Sequence, residues 1–102
     1  AVELYHDNAI KIKTQSFGAD IYGLVQISGN CIPDTNNAYN LGTSSARWAN
    51  IYSADLQLSN KGSQNDVDGT WGDYTIQEGE SDLFLINNRS GKKYKFNLTE
   101  VS

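Results

Sequence analysis

The chain has 102 residues, a net charge of −4 and one cysteine, and only 38% of its residues are apolar, so a single copy has little material for a core. The length fits one domain, and the acidic balance argues against a nucleic-acid binder, which presents a basic face to phosphates. No apolar run approaches the roughly 20 residues of a membrane span and no basic-then-apolar leader is present, so membrane insertion is not expected.

Val2 to Tyr5 and Ala9 to Lys13 place apolar residues at every second position, Val2 and Leu4 and then Ile10 and Ile12, which is strand periodicity. Asp7-Asn8 between them supplies turn chemistry and predicts a hairpin. After an interruption at 14–18, Asp20 to Ser28 predicts a further strand with Ile21, Val25 and Ile27 on one face and Tyr22 and Leu24 on the other. A strand apolar on both faces is covered on both sides, as in a structure built from several chains. Cys31, alone, excludes an intrachain disulfide and a cysteine zinc site. Its setting among Ile27 and Ile32 predicts a small buried hydrophobe, with an interchain disulfide on a symmetry axis as the alternative. His6, the single histidine, reads as a surface residue. Ala1 in place of Met suggests a fragment or processed product.

From Pro33 to Ser53 a few large side chains, Tyr39, Leu41, Trp48, Ile51 and Tyr52, anchor a polar backbone rich in Asn, Ser, Thr and Gly. Pro33, the Asp34 to Asn37 run and Gly42 favour specified turns. A short helical turn is predicted at Arg47 to Ser53, capped by Ser44 or Ser45.

This stretch resembles the P-x-T-x-N-x-Y-x-L-G-x-S-S-x-R-W-x-N-I-Y segment near the C-terminal ends of tailed-bacteriophage tail fibres and tailspikes. It matches at Pro33, Thr35, Asn37, Tyr39, Leu41, Gly42, Ser44, Ser45, Arg47, Trp48, Asn50, Ile51 and Tyr52. In many members the segment leads into a self-cleaving intramolecular chaperone of the endosialidase type, which opens with Ser-Asp and basic residues. Here Ser53-Ala54-Asp55-Leu56-Gln57-Leu58-Ser59-Asn60 follows instead. The remainder resembles a short β-rich cap found at fibre ends.

The resemblance implies a homotrimer, with Tyr39, Leu41, Trp48, Ile51 and Tyr52 packing its junction. It also implies a place in the virion tail fibre after assembly in the bacterial cytoplasm, joined to other tail proteins through a missing N-terminal part.

Beyond the junction, Leu56 and Leu58 alternate with Gln57 and Ser59 in a predicted strand. The polar run 60–69 contains Asp66-Val67-Asp68-Gly69, which invites a calcium reading. An EF-hand frame with Gly69 sixth would begin at Gln64 and end at Thr75, neither an adequate ligand, so a solvated turn is the better reading. Trp71 to Gln77, Asp82 to Asn87 and Lys93 to Thr99 then predict three strands. Short Gly-containing connections join them into an antiparallel meander, and lysines on the last strand discourage edge pairing.

The expected fold is therefore mostly β, short shaft-like strands followed by a β-meander cap, intertwined or packed as a homotrimer. Its parts are a shaft-like segment at 1–32, a turn-rich junction at 33–54 and a cap at 55–102.

Catalytic readings are weak. Glu78 and Glu80 sit two apart in a turn, where a glycosidase needs its carboxylates held across a substrate, and no Ser/His/Asp set or phosphate-cradling loop is present. No catalytic residue, metal or cofactor is assigned. Trp71, Asp73 and Tyr74 form a polar-aromatic stretch that either stacks on a host glycan or plugs the end of the β-core. The functional expectation is a distal tail-fibre segment that stabilises the trimer and contacts a host surface glycan or protein. The alternatives are the cap of a tailspike depolymerase with its active site upstream, or a trimerisation chaperone module.

Overall fold

The computed structural model describes residues 1–102 and contains strands and turns but no helix. Strands β1 (Glu3–His6), β2 (Ala9–Gln15) and β3 (Gly18–Ile21) form one antiparallel sheet in chain order. Strands β4 (Leu56–Ser59), β5 (Asp73–Glu78), β6 (Leu83–Asn87) and β7 (Lys93–Lys95) form a second, also antiparallel and in chain order. The all-β class and the meander are thus present. Two units result, Ala1–Thr43 and Ser44–Ser102, with one sheet each. No helix is long and apolar enough to cross a membrane.

In the first unit, Asp7 and Asn8 both have positive φ, 49° and 63°, and close the tight turn between the paired residues His6 and Ala9. Two such residues in succession give the turn twist that matches a hairpin. The register lines up Leu4, Ile12 and Ile21 across the three strands, and Glu3, Lys13 and Asp20 on the other face. The charged row is the better covered one. Glu3, Lys13, Gln15 and Asp20 are half-buried. The Gln15 amide donates to Asp20 at 3.0 Å, and the hydroxyls of Tyr5 and Tyr22 donate to Glu3 at 3.2 Å and Asp20 at 3.4 Å. Glu3 also lifts the Tyr5 phenol above its ordinary pKa, chiefly through that hydrogen bond and secondarily by its charge. The apolar row is bare, with Leu4 55% and Ile21 52% exposed.

Three expectations fail in the loops. The strand expected from Asp20 to Ser28 ends at Ile21, after which the Tyr22 amide donates to the Lys11 carbonyl. β2 continues to Ala9, but Gly23 at φ 113° turns the chain away from it, so the ladder with β3 stops there. The helical turn expected at Arg47 to Ser53 is absent, since residues 22–55 contain neither strand nor helix. So short a segment cannot offset helix nucleation without a surface to pack on. Cys31 is exposed, because its neighbours Ile27 and Ile32 are themselves uncovered at 53% and 78%.

In the second unit the pairing separates two chemically distinct faces. Leu56, Ile76, Leu85 and Tyr94 stand in one row across all four strands, and Leu58 opposite Tyr74 extends the same face. The reverse face begins with the row Gln57, Thr75, Ile86 and Lys93. It carries a hydrogen-bonded polar chain. Asn88 Nδ2 donates to Asp73 at 3.0 Å and to Thr75 Oγ1 at 2.9 Å, and the Thr75 hydroxyl donates to Gln57 at 2.6 Å.

Thr75, 5% exposed, is the one buried residue, and no apolar side chain is buried. Leu56, Leu58 and Tyr94 are each about half exposed. The chain exposes 9645 Å². Two separate compact bodies of these sizes would expose about 6,900 Å² in all. The excess is about 2,700 Å², by that same scaling.

Candidate functional site

Antiparallel pairing brings the ends of β4 and β6 and the starts of β5 and β7 to one edge of the second sheet. Two connections, residues 60–72 and 88–92, therefore rise side by side, and the site is built between them.

The longer connection is tied down by its own polar side chains. Asn65 Oδ1 accepts from the amides of Val67 at 2.8 Å and Asp68 at 2.9 Å. Its Nδ2 donates to Asp68 Oδ1 at 2.8 Å and to the Thr70 carbonyl at 2.9 Å. Asp68 Oδ1 also accepts from the Thr70 hydroxyl at 2.7 Å and amide at 3.1 Å. These donors, the Thr70 hydroxyl first and then Asn65, hold the Asp68 carboxyl below its ordinary pKa. At the base of the loop the Gly72 amide donates to Asn60 Oδ1 at 2.8 Å. Asp68 is thus committed to shaping the turn, and no cluster of three metal-ligating side chains exists in the chain.

The shorter connection is closed by Asn87, whose Oδ1 accepts from the amides of Arg89 at 3.0 Å and Ser90 at 3.2 Å, with Gly91 at φ 76° completing the turn. That turn aims Arg89 at the longer loop. Its guanidinium carbon lies 3.8 Å from the centroid of the Trp71 ring, and Nη1 donates to the Trp71 carbonyl at 2.9 Å. Lys61 Nζ lies 5.8 Å from the same ring. A cation at such distances is attracted by the negative π-face of indole.

A cleft of about 460 Å³ opens here, its walls including Thr70, Trp71, Tyr74, Asn87, Arg89 and Ser90. A second hollow of about 380 Å³ lies between Leu58, Asn60, Asn65, Gly72 and Tyr74. Tyr74 lines both, and Gly72 lets its ring lie close, since a Cβ there would stand 2.9 Å from Tyr74 Cε2 and push the ring aside.

Of the sequence-based candidates, Trp71 and Tyr74 share the cleft. Asp73 does not join them: alternation along β5 turns it to the opposite face, where Asn88 holds its carboxylate. Arg89 lies in the run Asn88-Arg89-Ser90-Gly91, which in sequence marks only a basic turn. Nothing local marks it as a partner of Trp71, because the register of β5 on β6 creates the contact. Tyr39, Leu41, Trp48, Ile51 and Tyr52 are all exposed, Tyr52 at 94%. Tyr39 and Leu41 line a separate hollow of about 490 Å³ with Cys31, Ile32 and Pro33.

No family model matches the chain, and no curated protein or solved structure matches it significantly.

Proposed function

We propose that the chain is the distal part of a homotrimeric tailed-phage fibre, holding three copies in register at the fibre end and contacting the host surface. The observation that carries the multi-chain reading is the uncovered apolar face of β4 to β7, together with the missing core. An excess of about 2,700 Å² per chain, shared between two neighbours, corresponds to subunit contacts of the obligate kind. Three copies turning the Leu56, Ile76, Leu85 and Tyr94 row toward a common axis would supply the core that one copy lacks. The junction residues Tyr39, Leu41, Trp48, Ile51 and Tyr52, exposed on a backbone without regular structure, would be anchored by the same means. The phage assignment rests on the thirteen matched positions between Pro33 and Tyr52.

In this reading the chain binds and organises and does not catalyse. Host contact falls to the two loops at the end of the second sheet, where an aromatic cleft with hydrogen-bonding walls suits a surface glycan. The test is adsorption of phage carrying this fibre to host cells. Replacing residues 70–72, which precede β5, is expected to abolish adsorption while the trimer persists. Unchanged adsorption would overturn the assignment of host contact to this site, and new reducing ends after incubation of the chain with host polysaccharide would overturn its non-catalytic role.

A further inference from the structure

We infer that the cleft between the two loops selects a carboxylate-bearing sugar, with Arg89 as the residue that takes the carboxylate. The inference rests on the proposed glycan contact and specifies its charge.

Arg89 is a preorganised cation. Guanidinium carries five N–H donors, of which one is committed, to the Trp71 carbonyl at 2.9 Å. Its place 3.8 Å over the indole confines the group, and no protein acceptor takes its other side-chain donors. No salt bridge neutralises it, the ion pair of this chain being that of His6 with its neighbour Asp7. The nearest carboxylate along β5, that of Asp73, is on the other face and is occupied by Asn88. Lys61 adds a second positive charge on the far loop, 5.8 Å from the Trp71 ring.

A planar guanidinium with free parallel donors matches a carboxylate in two bonds at once, which an ammonium group does not. The remaining groups suit a sugar: the hydroxyls of Thr70 and Ser90 and the ring of Tyr74 line the same cleft. Arg89 is the one cation in the lining of the cleft, Lys61 standing outside it, and hydroxyl and aromatic groups around it favour a polyol bearing a single acid over an acidic peptide, which would be met by several cations. Trp71 therefore supports the arginine, with its own π-face already occupied, and Tyr74 is the ring that meets the sugar.

The experiment titrates the whole assembled chain with a galacturonic acid trisaccharide and with its methyl ester, following the Trp71 indole and Arg89 Nε resonances by NMR. The acid is expected to shift both resonances. Loss of a charge-assisted bidentate contact should weaken binding about tenfold, for the ester with the parent chain and for the acid with Arg89→Gln. Arg89→Lys, which keeps the charge and loses the fork, should fall between parent and Arg89→Gln, and it serves if Arg89→Gln fails to fold. Equal binding of acid and ester overturns charge selection while leaving glycan contact standing. Absence of binding by either, combined with unchanged phage adsorption on loop replacement, overturns both. Tighter binding of a hexaglutamate peptide than of the trisaccharide overturns the sugar assignment.

Discussion

Thr75 is the only buried residue in the chain, and its hydroxyl joins three segments: it donates to Gln57 on β4 at 2.6 Å and accepts from Asn88, after β6, at 2.9 Å. Thr75→Val keeps the branched shape and strand preference and removes both bonds. Each such bond contributes about 1 kcal/mol net, so the loss should be about 2 kcal/mol. Asn88 retains Asp73, which limits the damage on one side; Gln57, exposed, loses its protein donor on the other. Thr75→Ser keeps the hydroxyl and loses one methyl, for about 1 kcal/mol. Urea unfolding at a fixed protein concentration, followed by the far-ultraviolet strand signal, measures both. The Thr75→Val, Asn88→Ala double-mutant cycle should show coupling of at least about 0.5 kcal/mol. A Thr75→Val chain as stable as the parent, or more stable than Thr75→Ser, would refute the view that this polar chain holds the three segments together.

Gly79→Ala places a Cβ 2.6 Å from Phe84 Cε2 and 3.3 Å from the Asp82 carbonyl, forcing the ring aside. The expected cost is about 1 kcal/mol in the same unfolding assay, and Gly79→Ala in a Phe84→Ala background should be neutral or stabilising. For Asp68, the native carboxyl titrates below its unfolded value, so its contribution is present above the unfolded pKa and is lost as pH falls through the native one. The Thr70 amide resonance should therefore titrate below the ordinary aspartate range, and Asp68→Asn should remove that transition. A midpoint at or above the ordinary value would contradict the hydrogen bonding described for the loop. Leu85→Glu, in the middle of the apolar row, should prevent assembly and leave aggregated or unfolded chain in sedimentation, whereas Lys93→Glu on the reverse face should leave assembly intact.

What could be read from sequence was what repeats at short range. Alternation in Leu56 to Ser59 and in Lys93 to Thr99, with the apolar run Leu83 to Ile86 between Gly-containing turns, located the meander, because these patterns are local and hold whether or not the apolar side is covered in a single chain. Asp7-Asn8 located the first hairpin for the same local reason. The run from Asp20 to Ser28 misled because its apolar residues imply covering surfaces, while strand formation also needs extended backbone, and Gly23 at φ 113° breaks it with β2 still running to Ala9. Cys31 misled similarly, since an apolar neighbourhood implies burial only where something covers it. Trp71 and Tyr74 were legible as an aromatic pair, but Asp73 was separated from them by strand alternation. Arg89 entered through a cross-strand register that no local pattern encodes.

The central claim is that this chain completes its core only with other copies of itself. Native mass spectrometry of the purified chain, repeated after dilution, tests it most directly. Three chains of 11.3 kDa, persisting on dilution until the protein unfolds, is the predicted result. A monomer that keeps its strand signal and unfolds cooperatively at a concentration-independent midpoint would contradict it.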